Sequence, residues 1–283
     1  MEAVLTRRRR IRNPVGAGMF YPEDKHETLD YLKSFGLEGG AIAGMRGGYA
    51  QAIIAPHGAW SYSGMLVASA FSSAMGRSES IKRVVILGPI HDKREKGLFL
   101  SNSHSFYTPL GNIAVDKETS ENLEFCGNFF EINDIPHLGE HSIEILLPFV
   151  KYCFPYASIV PILMGQTKPQ YIYDLAQALK TVITPVLDET LIVVSCNLSY
   201  DADQETARLL AQEAVNLFSE KNSAALASAV LNGRLNACGG ALMVALFESG
   251  LLDKTHTCSV ADNLVSAVSA ENNTVFYSKL SYA

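Results

Sequence analysis

Four short runs of the chain are apolar at nearly every position: "AQAIIAP" (50–56), "RVVILG" (83–88), "ASIVPILM" (157–164) and "TLIVVS" (190–195). They are rich in Val and Ile and do not alternate with polar residues, the pattern of strands covered on both faces. Between them the period changes. "SGMLVASAFSSAM" (63–75), "EHSIEILLPFVKYCF" (140–154), "PQYIYDLAQALKTVI" (169–183), "DQETARLLAQEAVNLFSE" (203–220) and "GGALMVALFESGLL" (239–252) repeat apolar residues every three or four positions, which predicts helices. "GLFLS" (97–101), "NIAVD" (112–116) and "TVFYSKLSYA" (274–283) predict further strands, some of them antiparallel edges. Strands alternating with helices predict an α/β fold: a central mixed, mostly parallel sheet flanked by helices. No repeat, low-complexity tract or long linker interrupts the pattern. Residues 1–283 therefore read as a single domain, with 1–10 a flexible basic arm and the Gly-rich "GLEGGAIAGMRGGYA" (36–50) a surface loop.

Composition narrows the function classes. With 283 residues, 48% hydrophobic and 18% charged, the chain can bury a substantial core. A formal charge of −6 and a pI near 5.7 argue against a nucleic-acid-binding surface. Arg7 to Arg10 are the exception and read as a solvated arm. No run reaches the roughly 18 apolar residues of a membrane span. The arginines lead into Ile-Arg-Asn-Pro rather than an apolar stretch, so no secretory signal is read either. Five cysteines, at 126, 153, 196, 238 and 258, form no CxxC pair and leave one over, which points to a reduced, cytoplasmic protein.

Ligands of open α/β sheets gather beyond the carboxyl ends of the strands. Three predicted strand ends carry reactive types: His57 after "AIIAP", His91 after "VVILGP", and Cys196, Asn197, Ser199 and Tyr200 after "LIVVS". Glu140 and His141 open the predicted helix 140–154, with Glu144 one turn on. That pair reads either as a capped helix start or as a histidine aimed into the cleft as ligand or proton shuttle. Cys238 precedes two glycines at a helix N-terminus, a position that stabilises a thiolate, although a small buried residue beside a turn reads the same way. Two imidazoles and a thiolate suit iron, copper or zinc with positions open for a ligand. A Cys–His pair equally suits acyl transfer or hydrolysis with Cys238 as nucleophile.

Read in order, "IRNPVGAGMFYP" (11–22), "IIAPHGAWSYSG" (53–64), "VVILGPIH" (84–91), "TPLGNIAVD" (108–116), "EHSIEILLPFV" (140–150), "IVPILMG" (159–165), "LIVVSCNLSY" (191–200) and "CGG" (238–240) resemble the Memo family, also called AmmeMemoRadiSam system protein B. The resemblance implies the fold of the class III extradiol (LigB-type) non-haem iron dioxygenases. It implies metal ligands at His57, His91 and Cys238, with His141 facing the same cleft. Two departures stand out. Family members read Pro-His-Ala-Gly-aromatic where this chain has Pro56-His57-Gly58-Ala59-Trp60, and Ser-Ser-Asp-Leu-Ser-His-Tyr where it has Ser195-Cys196-Asn197-Leu198-Ser199-Tyr200-Asp201. An acid is replaced by Asn197 and a histidine by Tyr200, a poor base at neutral pH.

The expectation is a cytoplasmic, Memo-like metal-binding protein with an oxidoreductase role. His57, His91 and Cys238 would hold iron or copper, with zinc as the further candidate. His141, Asn197 and Tyr200 would serve as catalytic groups toward a small-molecule or peptide ligand in the cleft, with no nucleic acid or membrane partner. The alternative is a non-catalytic ligand-binding or scaffold protein on the same fold. Sequence does not fix the oligomeric state.

Overall fold

The computed structural model describes residues 10–38, 41–42, 48–261, 264–269 and 271–283. Eight strands form the central sheet: β1 (Ala52–Ala55), β2 (Arg83–Pro89), β3 (Leu98–Leu100), β4 (Phe130–Ile132), β5 (Ser158–Met164), β6 (Thr190–Ser195), β7 (Cys258–Val260) and β8 (Leu280–Tyr282), in the order β7-β8-β1-β6-β2-β5-β3-β4. The four continuous apolar runs are its four inner strands, all parallel: β1, β6, β2 and β5. β8 joins β1 antiparallel, and β3 joins β5 antiparallel.

Inner strands are apolar throughout because both faces are covered. Ile54, Val85, Leu87, Val160, Ile162, Ile192 and Val194 face one core, whereas their neighbours Ile53, Val84, Ile86, Ile159, Leu163, Leu191 and Val193 face the other. This is the two-residue alternation of a pleated strand. Full burial of each such side chain contributes about 2 kcal/mol. On the first face lie α6 (Pro169–Ile183), α7 (Gln204–Ser219) and α9 (Gly240–Glu248); on the second lie α2 (Trp60–Ser72) and α5 (Leu147–Cys153).

Several expectations need correction. The helix expected over 140–154 starts as a 3-10 turn at Glu144–Leu146 and becomes an α-helix at Leu147, where Pro148 fits the first turn. Glu140 is extended (φ −96°, ψ 134°) and closes a short helix, α4 (Ile135–Gly139), rather than opening one. The segment 112–116 gives Ile113–Ala114, which pairs with Ser105–Phe106 in a separate sheet that also holds Ile11–Arg12. The terminal run divides: Thr274–Tyr277 pairs with Ser199–Asp201 outside the central sheet, and Leu280–Tyr282 is β8. Within 36–50, Leu37–Glu38 and Ala41–Ile42 pair as short strands, while 39–40 and 43–47 lie outside the described residues. So does the basic arm, except for exposed Arg10.

Three helices carry no apolar period to betray them: α1 (Lys25–Ser34), α3 (Lys117–Cys126) and α8 (Ser223–Leu231). The buried faces of the first two are Thr28 and Leu32, and Thr119, Ser120 and Leu123. Side-chain caps at Asp24, Asp116 and Asn222 mark their starts instead.

Candidate metal centre

Because β1, β6 and β2 are adjacent and parallel, their carboxyl ends lie side by side, and each leads directly into a candidate residue. His57 follows β1, Cys196 and Asn197 follow β6, and His91 follows β2. The loop before α9 brings in Cys238, whose N–H donates to Asn197 O at 3.2 Å. Nδ1 or Nε2 of His57 and His91 and Sγ of Cys238 all lie within 4.8 Å of one another.

Hydrogen bonding settles which ring nitrogens face the centre. Ser195 Oγ has one proton and donates it to Ser142 O at 2.6 Å. The same oxygen stands 2.7 Å from His57 Nδ1, so it must accept there, and Nδ1 carries the ring proton. Nε2 is left to face Cys238 Sγ at 3.4 Å. His91 follows the same rule with a different partner: its Nδ1 lies 3.0 and 3.1 Å from the two oxygens of Glu140. Glu140 also accepts the N–H groups of His91, His141 and Ser142 at 2.7, 2.8 and 2.8 Å. Burial would raise this carboxyl, but the bond from His91 and its charge bring it down to about 2. Glu140, His91 and His141 also form a possible ligand group. With its oxygens taken up by N–H donors, however, Glu140 is placed to orient His91.

Cys238 is a thiolate environment. Burial pushes the thiol up, but hydrogen bonding from Cys196 and the charge and bond of His57 outweigh it and hold Cys238 well below the ordinary thiol value. The Asn197 N–H donates to Sγ at 3.0 Å. Cys196, itself fully buried, is driven well above the ordinary value. Burial would lower His91, but its bonds to Cys238 and Glu140 raise it to about 10, so the uncomplexed cluster is an imidazolium between a thiolate and a carboxylate.

His141 lies in the same cleft. Its ring stacks between His91 (centroids 5.0 Å, 16°) and Phe20 (4.6 Å, 15°), with His57 edge-on at 6.0 Å. Burial, followed by the charge of His57, lowers it to about 4, so it is neutral at pH 7. Asn197 Oδ1 accepts the His57 backbone N–H at 3.0 Å, a task that needs an acceptor but no charge. Tyr200 is half-exposed, and its described hydrogen bonds are main-chain ones to Asn236. Glu144 turns away from the cleft. It meets Arg12 in a buried ion pair and accepts from Val15 N, Gly16 N and Tyr21 Oη. Trp60 lies in an aromatic core with Tyr21, Tyr31, Phe35 and Phe149 and also lines a pocket of about 240 Å³ that reaches Phe20.

Sequence reasoning passed over Ser195, Ser142, Phe20 and Tyr277. A serine closing an otherwise apolar strand is the signal that could have found Ser195. Phe20 and Tyr277 reach the site from distant segments, and nothing local marks them.

Known proteins resemble this chain along most of its length. A family model described as "Memo-like protein" matches residues 12–283. A MEMO1 family protein of Thermotoga neapolitana is 29% identical over 247 residues, covering 85% of this chain and 88% of that protein. One from Methanobrevibacter smithii is 28% identical over 254 residues, covering 86% and 89%. Among solved structures, an uncharacterized protein of Escherichia coli K12 is similar over 82% of this chain and 99% of that one, with a TM-score of 0.44 and 12% identity.

Proposed function

Given that the chain belongs to the Memo family, we propose that it is a metal-binding protein of one Memo-like domain in which His57, His91 and Cys238 hold a single iron or copper ion, with zinc the further candidate. The observation that carries this reading is a shared orientation: both Nδ1 atoms are engaged, by Ser195 and by Glu140, so both Nε2 atoms are left to face an ion beside the Cys238 sulfur. Metal-binding histidines regularly give their other N–H to such a partner. Imidazole with thiolate is a donor set that iron, copper and zinc accept. Three protein donors leave room for a small-molecule or peptide ligand, and the ion would supply Lewis-acid or redox chemistry toward it. Neutral His141, stacked on His91, would contact that ligand. Asn197 holds the His57 backbone. A cytoplasmic setting suits the thiolate.

Elemental analysis of anaerobically purified protein tests this, beside a His57→Ala/Cys238→Ser variant. Wild type is expected to carry iron or copper near one equivalent per chain and the variant almost none; equal content in both would sink the assignment. A second reading, a non-catalytic binding protein, draws on Asn197, whose Oδ1 is taken up by the His57 N–H, and on Tyr200, whose described hydrogen bonds are main-chain ones. Turnover of aromatic diols under oxygen, abolished by His91→Ala, would remove it.

A further inference from the structure

The strand Thr274–Tyr277 runs beside the exit of β6: Phe276 lies opposite Ser199, and its carbonyl accepts Leu198 N–H at 3.0 Å. Tyr277 is thereby set next to the Asn197–Leu198 turn. Its ring covers Gly58, the residue after His57. A Cβ built on Gly58 would lie 2.9 Å from each of Tyr277 Cε1, Cζ and Oη, closer than non-bonded carbon atoms tolerate. The phenol fills the space where a methyl group on residue 58 would stand.

The side chain is 6% exposed. Buried tyrosines nearly always find a partner for the hydroxyl, yet no described residue hydrogen-bonds Tyr277 Oη. That oxygen is not fully enclosed. Burial first, and then the nearby charge of Cys238, keep the proton on the phenol. Tyr277 is therefore an O–H donor without an acceptor among the described residues, set against Gly58, the residue after His57.

We propose that Tyr277 donates its O–H to a small anionic ligand occupying an open position on the ion held by His57, His91 and Cys238. The inference rests on the metal reading above. One thiolate and two neutral imidazoles leave a divalent ion with net positive charge, which favours an anion there, and the phenol stabilises it without adding a charge.

Cobalt(II)-loaded protein titrated with azide and followed by visible absorption tests the donor. Tyr277→Phe is expected to take up cobalt like wild type but to bind azide roughly tenfold more weakly, the size of one lost hydrogen bond to a charged group. Gly58→Ala, which displaces the ring but keeps the hydroxyl, is expected to lose azide affinity in the same direction. Unchanged azide affinity in Tyr277→Phe with cobalt in place would overturn the inference alone. So would a loss confined to Tyr200→Phe, or a tyrosinate-to-metal charge-transfer band in ferric protein that disappears in Tyr277→Phe, since that would make the phenolate a ligand. Failure of wild type to bind cobalt would overturn the metal reading and this inference with it.

Discussion

The Ser195 hydroxyl, 2.7 Å from His57 Nδ1 and 2.6 Å from Ser142 O, fixes the proton of the His57 ring on the nitrogen that faces away from Cys238. Replacing Ser195 by Ala frees both the ring and the Ser142 carbonyl. Metal affinity is expected to fall by roughly 10- to 100-fold, the usual cost of losing such a partner. Competition against a chromophoric chelator measures it, and an unchanged affinity would show that Ser195 does not set the tautomer.

Glu140 has the matching task at His91. In metal-free Glu140→Gln the ring loses the carboxylate charge that helps raise it to about 10. The titration of His91 should therefore move to lower pH. An NMR titration of the His91 ring reads this directly; a midpoint as high as wild type would mean that Cys238 alone holds the proton.

Arg12 and Glu144 form a buried ion pair between the amino-terminal segment and the segment 140–146. Arg12 also donates to His137 O and Glu140 O at 3.0 and 2.8 Å. Arg12→Met leaves the Glu144 charge buried without its cation and is expected to cost about 3–5 kcal/mol in urea denaturation. Adding Glu144→Gln should restore part of that loss. If the double variant is no more stable than the single, the charge is not the cause.

His137 is fully buried, with Nε2 3.1 Å from Phe99 O. Burial, to which the charge of Arg12 adds, lowers it from 6.5 to about 4. Between those values the unfolded chain binds the proton and the folded one does not. The stabilisation is whole above pH 6.5 and is lost as pH falls toward 4, by about 3 kcal/mol at most. His137→Gln, which keeps an N–H for Phe99 O, should flatten that part of the stability curve. Parallel curves for the two proteins would refute the assignment.

The sheet could be read from sequence because its inner strands are buried on both faces, a condition that leaves no polar residue in "RVVILG" or "TLIVVS" apart from the ends. His57 and His91 were legible for the same reason: each follows such a run. The segment 140–146 was not, because its apolar spacing is helical while Glu140 spends its side chain on the N–H groups of His141 and Ser142, which holds the backbone extended. Tyr277 was hidden because its strand pairs with Ser199–Asp201, a long-range relation that no local period encodes.

Half the length of the chain separates His91 from Cys238. During synthesis both imidazoles leave the ribosome well before the thiolate exists, at about 5–20 residues per second. An ion that needs all three donors can be secured only once β6 and the loop before α9 have been made and packed. Retention of metal would therefore report on a chain made and packed at least through Cys238, distinguishing it from chains that stop before that residue.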